Sequence, residues 1–311
     1  MQTVLITGGT GMVGRHLTKH LTGKGYKVII LTRKMAASVL PDSTISFALW
    51  DVEKKTIDIN AVQQADYIVH LAGAGVVDKK WTDSYKAEIV NSRTASSALL
   101  IETLQNNAHS VKAIVSASAI GWYGADPAPG INGFVETDEP ANGFLGETCK
   151  LWEQSISPAE AFNIRVVKIR IGIVLSNDGG ALAEFKKPIQ FGVAGILGEG
   201  KQVVSWVHIE DLCRIFTAAI ENTQMSGSYN AVAPAPVTNK ALTLELAKQI
   251  KGKFFIPMNV PEFVLKIMLG DRSIEVLKSA TVSCEKILAT GFNFLYPTID
   301  VALKQLAQHI P

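Results

Sequence analysis

Gln2-Thr3-Val4-Leu5-Ile6-Thr7 is a short apolar run that passes directly into Gly8-Gly9-Thr10-Gly11-Met12-Val13-Gly14, and Arg15 to Gly23 then carries a helical pattern. A strand, a turn of the form G-x-x-G-x-x-G and a helix start together make a cradle for a diphosphate. Gly8 and Gly11 allow a tight turn and a close approach to the phosphates, with Thr10, Met12 and Val13 completing the loop. Gly14 lets the helix lie against the strand, and the free N–H groups of the helix start face the negative charge. A lone glycine triplet is a weak signal. One that begins at residue 8, straight after a strand, is strong. The bland alternative is an ordinary tight strand-to-helix turn.

Outward from that junction, apolar runs alternate with helical patterns. Val28–Thr32, Ile45–Trp50, Tyr67–Leu71, Val111–Ser116 and Arg165–Leu175 read as further strands. Thr82–Gln105 and Phe144–Ala161 read as helices. Repeated strand–helix units predict an α/β fold, a doubly wound parallel sheet of Rossmann type with its ligand outside the carboxyl ends of the strands. Past residue 175 the rhythm changes to glycine-marked loops, with helical patterns over Pro257–Lys278 and Ile299–His309. The expected division is a dinucleotide-binding domain over 1–175, to which 206–223 returns, and a smaller, mostly helical substrate lobe over 176–311.

The bulk numbers narrow the function classes. The chain has 311 residues, 47 % of them apolar and 19 % charged, which is enough to bury a large core. Its net charge of +2, from 30 basic and 28 acidic residues, carries no basic stripe with interleaved aromatics, so no nucleic acid is expected. No apolar run reaches membrane-spanning length, so no membrane partner is expected either. Cys149, Cys213 and Cys284 are far apart and odd in number, which fits a reducing compartment. With a core strand at the N-terminus in place of a signal peptide, a cytoplasmic protein is expected. The histidines show no metal-ligand spacing, and no metal is expected.

The second strand ends Leu31-Thr32-Arg33-Lys34. NAD-binding forms of this fold place an acid about 20 residues beyond the glycine turn to hold the ribose 2′-hydroxyl. Here cations stand instead, and an arginine can hold a 2′-phosphate through a forked pair of hydrogen bonds. The expected cofactor is therefore NADP(H); the alternative makes Arg33 a solvated loop residue. Asp51, after the third strand, either meets the adenine amino group or is a turn aspartate.

Together these segments resemble the extended short-chain dehydrogenase/reductase superfamily. His70-Leu71-Ala72-Gly73 resembles its strand-four segment, and Ser116-Ala117-Ser118 with Tyr123-Gly124 its serine-rich strand end. Arg170–Leu175 and Trp206–Leu212 resemble its arginine strand and return segment. A closer resemblance is to the branch labelled epimerase family, or nucleoside-diphosphate-sugar epimerase-like. It is carried by Trp81, Lys86–Arg93, Trp152-Glu153 and the segment Pro261–Leu306. The resemblance implies that Thr32, Arg33, Leu71, Ala72, Gly73, Glu88, Arg93 and Ile173 line NADP. It also implies a small-molecule substrate and a monomer or homodimer, the latter paired through the two long helices.

The superfamily usually carries a Ser with a Tyr-x-x-x-Lys pair, the phenol acting as proton donor and the Lys lowering its pKa. The six tyrosines here, 26, 67, 85, 123, 229 and 296, are followed four residues later by Ile30, Leu71, Ile89, Pro127, Ala233 and Asp300. None is lysine. Leu145 and Cys149 fall where Tyr and Lys belong. Ser118 and Tyr123 are the remaining catalytic candidates, Ser118 to orient a carbonyl and Tyr123 as acid or as a pocket wall. The expected function is an NADP(H)-dependent oxidoreductase- or epimerase-like activity on a carbonyl or nucleotide-sugar-like compound. The alternative is a non-catalytic NADP-dependent sensor or scaffold.

Overall fold

The computed structural model describes residues 1–35, 44–128, 130 and 132–307. The strands are β1 (Thr3–Thr7), β2 (Lys27–Thr32), β3 (Ile45–Asp51), β4 (Thr56–Ile57), β5 (Tyr67–His70), β6 (Ala113–Ala119) and β7 (Arg165–Ile171). They continue with β8 (Ile173–Leu175), β9 (Val193–Leu197), β10 (Val203–Val204), β11 (Trp206–His208), β12 (Gly227–Ala231), β13 (Val237–Thr238) and β14 (Ile256–Val260). The helices are α1 (Met12–Gly23), α2 (Ile59–Gln63), α3 (Asp83–Asn106), α4 (Phe144–Ile156), α5 (Ala181–Gln190) and α6 (Ile209–Glu221). They end with α7 (Asn239–Lys251), α8 (Glu262–Leu269), α9 (Ser273–Leu277), α10 (Glu285–Leu288) and α11 (Ile299–Ala307).

Eight strands form one sheet in the order β12-β7-β6-β5-β1-β2-β3-β4. All neighbours are parallel except the short β3–β4 pair. β1 lies between β2 and β5, so its apolar run is buried on both faces. Val4 and Ile6 join the layer that includes Leu17, Leu21, Leu212 and Phe216 of α1 and α6. Leu5 joins the opposite layer with Leu100 and Leu104 of α3. The chain runs from β1 outward through β2 and β3, then returns to the other side of β1 as β5. In sheets of this kind such a reversal marks where a ligand binds, here at the carboxyl ends of β1 and β5, beside the glycine turn. A third apolar cluster, including Leu182, Ile189, Trp206, Leu246 and Leu303, forms the core of the smaller, mostly helical C-terminal part.

Several boundaries differ from expectation. α1 starts at Met12 rather than Arg15, because Gly11 in extended backbone already serves as its N-cap. Arg165–Leu175 is two strands broken at Gly172: β7 pairs with β6 and β12, while β8 turns away to pair with β11. A Cβ at Gly172 would lie 2.7 Å from Val232 Cγ1 and 2.8 Å from the Ser205 carbonyl oxygen, so the crossing there requires glycine. Pro257–Lys278 opens as the strand β14 before its helices. α4 stops at Ile156 and passes into a 3₁₀ turn, Ser157–Phe162. α11 ends at Ala307, and His309 lies outside the described residues. No described helix is long and apolar enough to cross a membrane.

Candidate cofactor and substrate site

The glycine turn is forced by contact distances. Gly8 has φ +67°, and a Cβ there would lie 2.8 Å from the Leu71 carbonyl carbon and oxygen. A Cβ at Gly14 would lie 2.4 Å from the Gly8 oxygen and 2.5 Å from Gly9 Cα. Only bare backbone fits both positions. The turn closes with the Gly11 N–H donating to the Gly8 oxygen at 3.0 Å. α1 then begins with no side-chain cap and no acid in its first turn. The amides of Met12, Val13 and Gly14 find no acceptor among the described residues, and Thr10 and Gly11 are exposed. A helix start left open in this way attracts an anion.

The opposite wall is held by a buried polar knot. Thr7 Oγ1 accepts from the Leu71 and Ala72 amides, both at 3.1 Å, and lies 2.8 Å from His70 Nδ1. With its lone pairs so engaged, the Thr7 hydroxyl donates to Nδ1, which puts the imidazole proton on Nε2, facing Ser97 Oγ at 3.2 Å and Ser96 Oγ at 3.3 Å. Both serine hydroxyls donate to the Arg93 carbonyl, consistent with that tautomer. Burial, with the nearby Arg93 charge, depresses His70 to about 4. The knot fixes Leu71-Ala72-Gly73 alongside Gly8.

At the end of β2, Arg33 is exposed and has no hydrogen bond or ion pair among the described residues. The neighbouring Thr32 hydroxyl donates to the Lys34 carbonyl at 2.9 Å. Asp51 is occupied otherwise: its carboxylate accepts from the Glu53 and Lys54 amides, at 3.0 and 3.1 Å, and pairs with Lys54 Nζ at 3.4 Å. These bonds, the Lys54 amide foremost, lower its pKa. Its carboxylate thus closes the turn that follows β3.

On the β5 side, Gly73 is exposed above Arg93: a Cβ at 73 would lie 3.0 Å from the guanidinium carbon. Arg93 itself is buried, lies over the Trp152 ring at 4.7 Å, and donates through Nη1 to the Ala74 and Ile89 carbonyls. Glu88, one turn earlier on α3, is exposed and pairs with Lys79. Ile173 opens β8 with its side chain 37 % exposed. Met12 reaches the same neighbourhood; a Cβ at Gly180, in the loop after β8, would lie 3.5 Å from its Cε. Leu145 and Cys149 face the loop after β6, within 3.3 and 3.6 Å of where a Gly121 Cβ would stand. Burial pushes the Cys149 thiol up to about 12.

Ser118 and Tyr123 are both buried, and both hydroxyls are committed to the interior. Ser118 donates to Glu153 Oε1 at 2.7 Å. Tyr123 donates to Asn230 Oδ1 at 2.8 Å and accepts from Arg170 Nη1 at 3.0 Å. Burial pushes the Tyr123 phenol up to about 12, against the lowering influence of Arg170. Arg170 also donates to both oxygens of Glu153, at 2.8 and 3.1 Å, and lies 3.7 Å over the Trp122 ring. Glu153 as the centre of this network was missed from sequence. The available signal was Arg170 in the middle of a buried strand, which must find a counter-ion somewhere in the fold.

A Rossmann-type sheet with an open helix start at its switch point defines a dinucleotide-binding fold, and the relatives below make it one of the extended short-chain dehydrogenase/reductase type. The chain belongs to the NAD dependent epimerase/dehydratase family, whose model matches residues 4–232. A second model, Domain of unknown function (DUF1731), matches residues 260–306. An epimerase family protein of Staphylococcus haemolyticus is 35 % identical over 308 residues, covering 98 % of this chain and 99 % of the relative. The crystal structure of human epimerase family protein SDR39U1 with NADPH superposes with TM-score 0.87 at 27 % identity, over 99 % of this chain and 100 % of the human one. The nucleoside-diphosphate sugar epimerase from Corynebacterium glutamicum gives TM-score 0.76 at 31 % identity, over 99 % of this chain and 58 % of that one.

Proposed function

We propose that the protein binds NADP(H) and acts as an oxidoreductase or epimerase on a small carbonyl or nucleotide-sugar-like molecule. The observation that carries the cofactor choice is Arg33: a guanidinium at the end of β2, exposed and without a partner among the described residues, where an NAD enzyme would place a carboxylate. The NADPH of the human relative supports the same choice. In this reading the amides of Met12–Gly14, with Gly8, Thr10 and Gly11, take the pyrophosphate. Thr32 and Arg33 take the 2′-phosphate, and Asp51 stands at the adenine end. The backbone of Leu71-Ala72-Gly73, with Glu88, Arg93 and Ile173, lines the remainder. Residues 1–175 with 206–223 hold the cofactor, and the rest of 176–311 holds the substrate. Ser118 and Tyr123 then support the pocket wall, because their hydroxyls are already spent on Glu153, Asn230 and Arg170.

The test is reduced-nicotinamide absorbance in purified protein mixed with NADPH and a panel of carbonyl compounds and sugar nucleotides. A change in absorbance supports an oxidoreductase; an epimerase returns its hydride, so the same panel with NADP⁺ is also analysed for isomerised product, and silence in both readouts with the nucleotide bound defeats the enzyme. The same committed hydroxyls favour a second reading, a cytoplasmic NADP-dependent sensor without proton transfer. That reading requires a partner captured differently by the NADP⁺ and NADPH forms, and fails without one.

A further inference from the structure

The groups ready to take a phosphate stand at the ends of β1 and β2: the open amides of α1 and the guanidinium of Arg33. The ends of β5 and β6, on the other side of β1 from Arg33, are furnished differently. The loop after β5 and the first turns of α3, residues 73–88, carry three acids and three lysines and so no net charge. Lys79 pairs with Glu88 at 3.1 Å and Lys86 with Asp271 at 3.2 Å. Lys80 is exposed, and Asp78 and Asp83 share its stretch. The segment 270–278 reaches this loop from the C-terminal part, where Arg272 Nη1 donates to the Val77 carbonyl at 2.6 Å. That segment is neutral as well: Asp271 is held by Lys86, and Glu275 pairs with Lys278 at 2.6 Å. Arg93 lies buried beneath Gly73 and lines the cofactor in the reading above.

What these two strand ends present instead is apolar. The loop after β6 runs Ala119-Ile120-Gly121-Trp122, without a charge. Leu145 of α4 packs on it, its Cβ 3.3 Å from where a Gly121 Cβ would stand, and is half-buried. Its neighbour Phe144, also half-buried, meets the Trp81 ring edge-on with centroids 5.0 Å apart. The Trp81 N–H is already taken by the Val76 carbonyl at 2.8 Å. A diphosphate buried against such a wall loses its hydration without gaining a cation, whereas an alkyl or aryl group gains by leaving water.

We propose that the substrate is an uncharged aldehyde or ketone with an alkyl or aryl arm, not a nucleotide sugar, and that Leu145 and Phe144 determine specificity by receiving that arm. The proposal deepens the NADP(H) enzyme reading and rests on it. NADPH is therefore titrated first, by calorimetry; no binding defeats the cofactor reading and the proposal with it. The NADP⁺-saturated protein is then titrated with 2-butanone, 2-pentanone, 2-hexanone and UDP-glucose, followed by ligand-observed NMR. Affinity is expected to rise about fourfold with each methylene along the ketones, and UDP-glucose to bind at least about tenfold more weakly than 2-hexanone. With NADPH bound, a flat ketone series, no ketone binding, or UDP-glucose held as tightly as 2-hexanone would overturn the proposal. Leu145→Asn is expected to weaken 2-hexanone by at least about threefold, with NADPH within about twofold of wild type. Unchanged 2-hexanone affinity, or an equal loss of NADPH, would remove Leu145 from the pocket and overturn its role. Should Leu145→Asn not fold, Phe144→Asn is measured in the same way, with the same two outcomes.

Discussion

Glu153 of α4 and Arg170 of β7 form a two-pronged ion pair inside the protein, with Nε to Oε1 at 2.8 Å and Nη2 to Oε2 at 3.1 Å. Their side chains are 7 % and 3 % exposed. The remaining lone pairs of Glu153 take the hydroxyls of Ser118 and Ser228, so the pair ties α4 to three adjacent strands, β6, β7 and β12. Removing one partner strands the other's charge in the interior. Glu153→Gln is expected to lower unfolding stability by about 3–5 kcal/mol, read by urea denaturation. A loss below about 1 kcal/mol would show that the network is not built as described.

His70 makes stability depend on pH. Its folded pKa of about 4 lies below the ordinary 6.5, so protons bind the unfolded chain more tightly. The stability it contributes is complete above about pH 6.5 and falls as pH drops toward 4. The difference between pH 7 and pH 4.5 should reach roughly 2–3 kcal/mol from this group. Carboxylates titrate in the same range, so the comparison is with His70→Gln, whose own loss over that interval should be smaller by about that amount. Parallel curves for the two proteins would show that His70 is not buried neutral.

The glycine turn tolerates no added carbon at position 14. Gly14→Ala is expected to cost more than about 2 kcal/mol and to abolish nucleotide binding, because both atoms in the way belong to backbone. Gly23→Ala, at the other end of α1, meets nothing within 4 Å and should be neutral or stabilising by up to about 1 kcal/mol. Melting temperatures of the two variants check both statements.

The parts of the fold legible in sequence were those whose cause is local. β1, β2 and β5 are buried on both faces and therefore read as continuous apolar runs, and the turn after β1 declares itself through glycine spacing. The errors came where distant contacts decide. Gly172 sits inside an unbroken apolar pattern, and nothing local reveals that β8 leaves β7 to pair with β11. An isolated glycine within a strand pattern was the available hint. Over Pro257–Lys278, Pro261 marks the start of α8 rather than the middle of a helix, which leaves the residues before it extended. Residue types near the strand ends made Ser118 and Tyr123 catalytic candidates. Their partners Glu153, Asn230 and Arg170 come from three other elements, so the commitment of both hydroxyls only emerges once those elements meet.

Calorimetric titration of NADPH and NADH into wild type and Arg33→Ala tests the cofactor assignment most directly. Wild type is expected to bind NADPH at least about tenfold more tightly than NADH, with Arg33→Ala erasing most of that preference while leaving NADH affinity unchanged. Equal affinities in the wild type, or a preference that survives Arg33→Ala, would contradict it.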